Sequence, residues 1–550
     1  MTGMPRSPGR WAPLALGLGL AALALGPALG WGLVLRYDLL FVPDPPLWPD
    51  RGGFPRAVPS DFVVALLSRA LPVEIVQKAA LVAVFVLAAT GAAALVPPER
   101  RLARLVAAAF YAWNIYLAQR LMLGQWALLL GVAALPWALH ALTRESGTRE
   151  SGTRESGTRE SGTREGGTRE SGTREGGTQG PRPAREAGPW PLAALRAVPW
   201  RLALALLPAA VGGFQAMLVS WLALMPVAVA RRRVPSAAGV LVLFSLPWAV
   251  PALTSGAVTD PAGVDAFAAR ADGPFGVLGS LLSLGGIWNA EAGLPGQEAW
   301  WTAGARLLMV AAGLYGYARL RSSPDRPAWW GGLAVSAAAG FCVAALGAYE
   351  PGRAVLKWLI ALWPGFGPLR DGQVYLAPLV LLTAVGLASA LRSGVPALVG
   401  VLAPVLVLPT FALGAFGRLD AVTYPGEWLA VRRIVDGDPA PGALLSLPWG
   451  AHRAFAWNGG RVVLDPATKL FQRRVLWDDT LLVGLPGGGR LRVRGEDPLN
   501  RRTGDLLAAR AYDRIPVRYV LMASGENGFP SGPPGWKTVF DGEGLRLLRR

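Results

Sequence analysis

The sequence predicts an α-helical polytopic membrane protein of about 11 transmembrane helices that ends in a small extracytoplasmic α/β domain. Three observations carry this. Hydrophobic residues make up 52% of the 550 and charged residues only 16%, where a soluble chain carries about a quarter charged residues. Several apolar runs exceed the roughly 18 residues that mark a membrane span. The region after residue 416 abandons that pattern for alternating helix-like and strand-like runs.

The apolar runs place spans near 11–35, 73–96, 102–121, 124–142, 192–212, 214–230, 236–256, 303–320, 328–348, 373–391 and 395–416. The first has arginines before it, Arg6 and Arg10, but is too long for the roughly 7–15-residue core of a signal peptide, so it reads as an uncleaved span. The positive-inside rule tests the count. Arg6 and Arg10, then Arg100, Arg101 and Arg104, then Arg231 to Arg233, then Arg319, Arg321 and Arg326, and finally Arg392 all fall on one side if the spans number eleven. That side is then cytoplasmic, with the N-terminus, and the C-terminal domain is extracytoplasmic.

The chain accordingly divides into four parts. Residues 1–142 hold spans one to four, with a first outer loop at 36–72. Residues 143–190 form a cytoplasmic linker built on a Thr-Arg-Glu-Ser-Gly repeat. Residues 191–416 hold spans five to eleven, with outer loops at 257–302 and 349–372, and residues 417–550 form the α/β domain. The repeat has no apolar residue to bury and a Gly in every unit, so it is expected to be disordered. In the last part, 443–447, 461–464 and 517–522 read as strands and 427–436 and 503–513 as helices, which is the pattern of an α/β fold.

Composition also excludes classes. The only cysteine, Cys342, lies in an apolar run, which excludes a disulfide-stapled secreted protein. One Cys with His140 and His452 far apart leaves no Cys/His metal box. The net charge of +18 comes almost entirely from arginine, since Lys occurs only at 78, 357, 469 and 537. With no basic helix interleaved with aromatics, the excess reads as membrane topology and contact with anionic lipid head groups, not as nucleic-acid binding. No nucleotide-binding glycine loop and no His-Glu-x-x-His run occurs, and no cofactor is named by the sequence.

Four constellations at the outer span ends could carry chemistry. Asp38, just after span one, is a candidate general base; the plainer reading is a solvated residue or a pair with Arg36. Ser60 or Asp61 reads as the N-cap of an interfacial stretch, 61–71. Asn114, Gln119, Arg120 and Gln125 cluster between spans three and four. Arg120 is suited either to clamp a phosphate or to snorkel to the interface. The loop 257–302 adds Asp260, Asp265, Arg270, Asp272 and Glu291. In 350–375, a helix at 353–363 is too short to span. Arg353, Lys357 and Arg370 suit a lipid phosphate, while Asp371 reads as a substrate-site residue, an N-cap, or a local partner of Arg370.

The runs Trp113-Asn114-Ile115-Tyr116, Gln119-Arg120 with Gly124-Gln125-Trp126, Leu284-Gly285-Gly286-Ile287-Trp288-Asn289 and Leu369-Arg370-Asp371-Gly372-Gln373 resemble an actinobacterial family of GT-C-like membrane proteins. They are more distantly similar to the membrane part of the large arabinofuranosyltransferases and to YfhO-like proteins. The family form of the second motif has Pro after the Asn and Glu before the Arg, where this chain has Ile115 and Gln119. The resemblance implies a GT-C-like fold and a glycosyltransferase that takes sugar from a polyprenyl phosphosugar lipid. The acceptor would be a cell-envelope glycan or lipid, and Asp38 the acidic residue of the first loop. Arg120, Gln125, Arg353, Lys357, Arg370 and Asp371 are the candidate substrate-binding set by their charge or polarity and position, a role that the resemblance does not carry over. The alternatives are a lipid or polyprenyl-glycan transporter or flippase, which requires polar residues near span centres and two related halves, and a non-catalytic envelope scaffold.

Overall fold

The computed structural model describes residues 11–49, 52–144, 199–324, 326–485, 488–525, 528–530 and 532–550. Arg6, Arg10 and nearly all of the repeat linker lie outside these.

Each apolar run folds as helix, but several are broken. The first is shorter than the sequence implied. Helix Ala12–Leu25 gives way to a tight turn at Gly26–Leu29, and Leu33–Val34 is a strand (β1). The run 102–121 splits into Arg101–Ala112 and Ile115–Met122. Asn114 explains the break. Its side-chain oxygen accepts from the Leu117 amide at 2.9 Å, and its Nδ2 donates to the carbonyls of Phe110 and Tyr111, both at 3.0 Å. One side chain thus ends one helix and starts the next, as amides do when they compete with backbone partners. Helices Trp126–Arg144, Trp200–Gly212, Phe214–Ala230, Val234–Thr254, Trp300–Arg319 and Trp330–Leu346 follow. The short helix Glu350–Leu362 turns 98° from Trp330–Leu346, as its length requires, and Gly394–Val407 bends by 62° into Pro409–Gly417.

By length and composition, five of the described helical runs are long and apolar enough to cross a membrane, or up to seven if each bent pair is one span. Eleven is not reached on that criterion, because breaks such as Asn114 cut apolar runs into pieces shorter than a bilayer is thick. Leucines and valines stand exposed along these helices, among them Leu204, Leu243, Leu253, Leu308, Leu402 and Leu406, which suits lipid rather than water outside the bundle. At its centre lies the run Gly372–Ala390, almost wholly buried. It packs on Trp300–Arg319 so closely that a Cβ on Gly386 would overlap the carbonyl oxygen of Gly313, the small-residue contact by which membrane helices approach.

After residue 417 the chain forms strands. Ala421–Val422 (β2) pairs antiparallel with β1, Leu33 opposite Val422 and Val34 opposite Ala421. The main sheet has five strands: Ala443–Leu447 (β3), Val475–Leu476 (β6), Val517–Ala523 (β9), Lys537–Asp541 (β10) and Leu545–Arg549 (β11), in the order β10-β11-β9-β3-β6. Strand β3 runs parallel to both neighbours and the remaining pairs are antiparallel. Two hairpins accompany it: His452–Ala454 (β4) with Val462–Leu464 (β5), and Leu481–Gly484 (β7) with Arg490–Val493 (β8). Helices Gly426–Asp436 and Pro498–Ala508 complete a mixed α/β arrangement. Buried Leu445, Leu476, Val520 and Met522 give the sheet a core of its own.

Candidate functional site

Asp38 is placed by a turn gripped from three sides. Gln77 holds the strand before it, accepting from the Val34 amide and donating to the Val34 carbonyl, each at 2.8 Å. Arg36 and Leu39 then bond to each other, Tyr37 donates to the Val462 carbonyl at 2.8 Å, and Asp38 donates through its amide to the Leu123 carbonyl at 3.1 Å. The turn rests on Gly124, whose φ is +78°. A Cβ at Gly124 would overlap the backbone of Leu39 and Arg36, so only glycine fits beneath Asp38. The Asp38 side chain is left exposed. It does not pair with Arg36, whose guanidinium is buried and donates to the carbonyls of Met122 at 3.1 Å and Glu291 at 2.8 Å.

Around this turn the C-terminal region closes in. The ring of His452, on β4, meets that of Tyr37 edge to face at 5.8 Å. Burial holds the His452 imidazole below its ordinary pKa while the charge of Asp38 pulls it up. Arg56, from the loop before helix Ser60–Leu67, also feels the Asp38 carboxylate. The N-cap of the helix Ser60–Leu67 is Pro59, not Ser60 or Asp61. The Ser60 hydroxyl donates back to Ala57 at 3.1 Å, and Asp61 accepts from Lys469 at 2.9 Å.

The arginines expected to meet a phosphate are mostly engaged. Arg120 is buried and forks onto Asp371, Nη1 to Oδ2 at 2.9 Å and Nη2 to Oδ1 at 3.2 Å. Its Nη1 also reaches Gln125 at 3.0 Å, and Tyr116 lies under the guanidinium. This bidentate pair leaves Arg120 neither snorkelling nor open to an outside phosphate. Asp371 stands at the N-cap position of the tight helical turn Gly372–Leu376, but its carboxylate makes no cap bond there and accepts from Arg120, while Arg370 pairs elsewhere. Arg370 turns the other way and donates to Glu496 Oε1 at 2.8 Å, over the ring of Phe267. Arg353 and Lys357 both pair with Asp265, at 3.1 and 2.5 Å, on a partly exposed patch formed with helix Gly263–Ala266. Gln119 donates to Asp272 at 2.9 Å and Gln297 at 3.2 Å, beside buried Arg306, which donates to the Gln297 carbonyl at 2.9 Å.

The structure thus joins Asp38 to Gln125 and Arg120 through the Leu123–Gly124 turn, and Arg120 to Arg370 through the neighbouring Asp371. Arg353 and Lys357 pair with Asp265 on the helix Gly263–Ala266, whose Gly263 lies against the Arg370 stem. Sequence reasoning missed three residues that complete the site. Glu496 joins Arg56 to Arg370, accepting from both guanidinium groups on one oxygen. Burial pushes its carboxyl pKa up, but the two guanidinium groups and their hydrogen bonds outweigh that and hold it at about 2. Arg56 and His452 are the others. Nothing in the local sequence marks these residues, because Arg56 and Arg370 lie 440 and 126 residues from Glu496. Among the described residues no group of three or more His, Cys, Asp or Glu could hold a metal ion.

Chemically, an exposed carboxylate beside a half-buried imidazole can take up a proton, and the adjoining guanidinium groups can hold an anion. No protein-family profile matches this chain, and neither does any curated protein. Solved structures do match in fold. The cryo-EM structure of the arabinofuranosyltransferase AftD from mycobacteria superposes with a TM-score of 0.51 at 16% identity, over 100% of this chain and 40% of the other. A mutant structure of the same protein gives 0.52 at 16% identity, over 100% and 42%. This chain spans less than half the length of either match. At such identity the likeness is one of fold: apolar helices followed by a strand-bearing C-terminal region, arranged like part of the AftD structure.

Proposed function

We propose that this protein is a membrane glycosyltransferase of the GT-C type. It would take a sugar from a polyprenyl phosphate carrier and pass it to a cell-envelope glycan or lipid on the outer face. Asp38, with His452 beside it, would remove the proton from the acceptor hydroxyl. The carrier phosphate would leave toward the arginines of the same face, and the 417–550 region would cover the pocket and meet the acceptor.

One observation supports this above the others. The exposed carboxylate of Asp38, coupled to His452 and Arg56, stands where the C-terminal region docks onto the helical part. The proposed topology rests on the same geometry. The ends of the first and last apolar helices meet in the β1–β2 pair, so they would leave the membrane on one side. The arginine groups at 100–104, 231–233, 319–326 and 392 follow the opposite helix ends.

The test is Asp38→Asn in membranes with verified expression, assayed for sugar transfer from a polyprenyl phosphosugar. Loss of a general base is expected to lower transfer by about 100-fold or more. Undiminished transfer overturns the assignment. The transporter and scaffold readings predict no transfer by the unmutated protein either.

A further inference from the structure

We propose that Arg56 and Arg370 form a phosphate-binding site that Glu496 occupies in the resting chain, and that the phosphate of a prenyl-phosphate lipid displaces this carboxylate on binding. The inference deepens the glycosyltransferase reading and rests on it for the choice of lipid.

The three groups are held unevenly. Arg370 is fixed: its guanidinium lies over the Phe267 ring at 5.0 Å, and its stem fits against Gly263, where a Cβ would stand 3.2 Å from Cδ. Its side chain is 11% exposed, so it needs an anion at all times. Arg56 is 54% exposed and free to follow whichever anion is present. Both groups converge on one oxygen, Oε1 of Glu496. Two guanidinium groups, each donating through one Nη2 to a single anionic oxygen, form a geometry that a phosphate oxygen also satisfies, and their other nitrogens could reach the remaining oxygens.

The backbone of Glu496 is anchored independently of its side chain. Its amide donates to Asp479 Oδ2 at 2.8 Å, and its carbonyl accepts from Val258 at 3.0 Å. The carboxylate can therefore rotate out without undocking the segment. Charge bookkeeping points the same way. The two arginines carry +2 and share one direct partner, Glu496 at −1, while Arg56 also feels Asp38 and Asp479 and Arg370 also feels Asp371. A phosphate monoester, nearly dianionic at neutral pH, as the released carrier would be, matches the pair better than a single carboxylate, whereas the phosphodiester of a polyprenyl phosphosugar carries one charge.

The experiment measures binding of farnesyl phosphate to the full-length protein in nanodiscs, with farnesol and inorganic phosphate as comparison arms. Glu496→Gln removes the competing charge and should tighten farnesyl phosphate binding about tenfold, while Arg370→Ala should weaken it by about as much. Glu496→Asp, which keeps the charge but shortens its reach, should fall between wild type and Glu496→Gln and serves if the latter does not fold. Farnesol should show no response to any variant. Unchanged binding across the variants overturns the site. Inorganic phosphate binding as tightly as farnesyl phosphate overturns the lipid assignment. Binding that follows the expected order without any sugar transfer keeps the site and removes the enzyme reading. Transfer that persists with binding insensitive to all variants does the reverse.

Discussion

Gly124 carries the turn that presents Asp38, and it makes a sharp prediction. Gly124→Ala forces a Cβ into the backbone of Leu39 and Arg36 at a positive φ. It should cost about 3 kcal/mol or more, read as a fall in thermal midpoint, and should reduce transfer even where the protein folds. Glu496 makes another. Its folded pKa of about 2 lies below the ordinary 4.5, so the ion bridge stabilises fully above pH 4.5 and is lost as pH falls toward 2. The difference in thermal midpoint between wild type and Glu496→Gln should shrink across that window. A difference that stays constant down to pH 2 would show that the bridge adds nothing. At this scale the sequence was half legible. Asp38, Arg120, Arg370 and Asp371 stood out as charges at span ends, where a charge is costly unless used or paired. Their partners did not. The pairing of Arg370 with Glu496 rather than with its neighbour Asp371 is decided by tertiary packing.

Among the helices, legibility followed length. Long runs such as Val73–Ala94 and Val234–Thr254 were readable because uninterrupted apolar stretches have few alternatives in a bilayer. The break at Asn114 was not readable, since one amide inside an apolar run is ordinary until its three hydrogen bonds are seen. Asn114→Leu should remove the cap and leave the Leu117 amide unpaired, costing about 1–2 kcal/mol and measurable in detergent unfolding. The contact of Gly386 with Gly313 predicts a larger effect. Gly386→Ala should force Trp300–Arg319 away from Ala377–Ala390 and lower the yield of folded protein by size-exclusion chromatography. A normal yield would show that these two helices have room to part.

For the whole molecule, the expected architecture of helical membrane part and α/β end was visible in composition alone, because lipid and water select opposite surfaces. How the two parts meet was not visible. The docking contacts include Tyr37 with Val462, Asp61 with Lys469 and Val258 with Glu496, and each of these joins residues hundreds of positions apart. The proposed topology is testable at this scale. Reporter fusions after Asp436 should be active outside the cytoplasm and those after Arg232 inside it; both on one side would overturn the orientation.

The clasp between Leu33–Val34 and Ala421–Val422 also bears on biogenesis. Synthesis runs from the N-terminus, so the nascent chain inserts its opening helix long before the strand that completes the clasp leaves the ribosome. Until then the turn around Asp38 has neither Val462 nor Leu464 to hold it. A premature stop anywhere ahead of residue 421 should therefore yield a chain that enters the bilayer but never matures, and quality-control proteases would find it open at both ends.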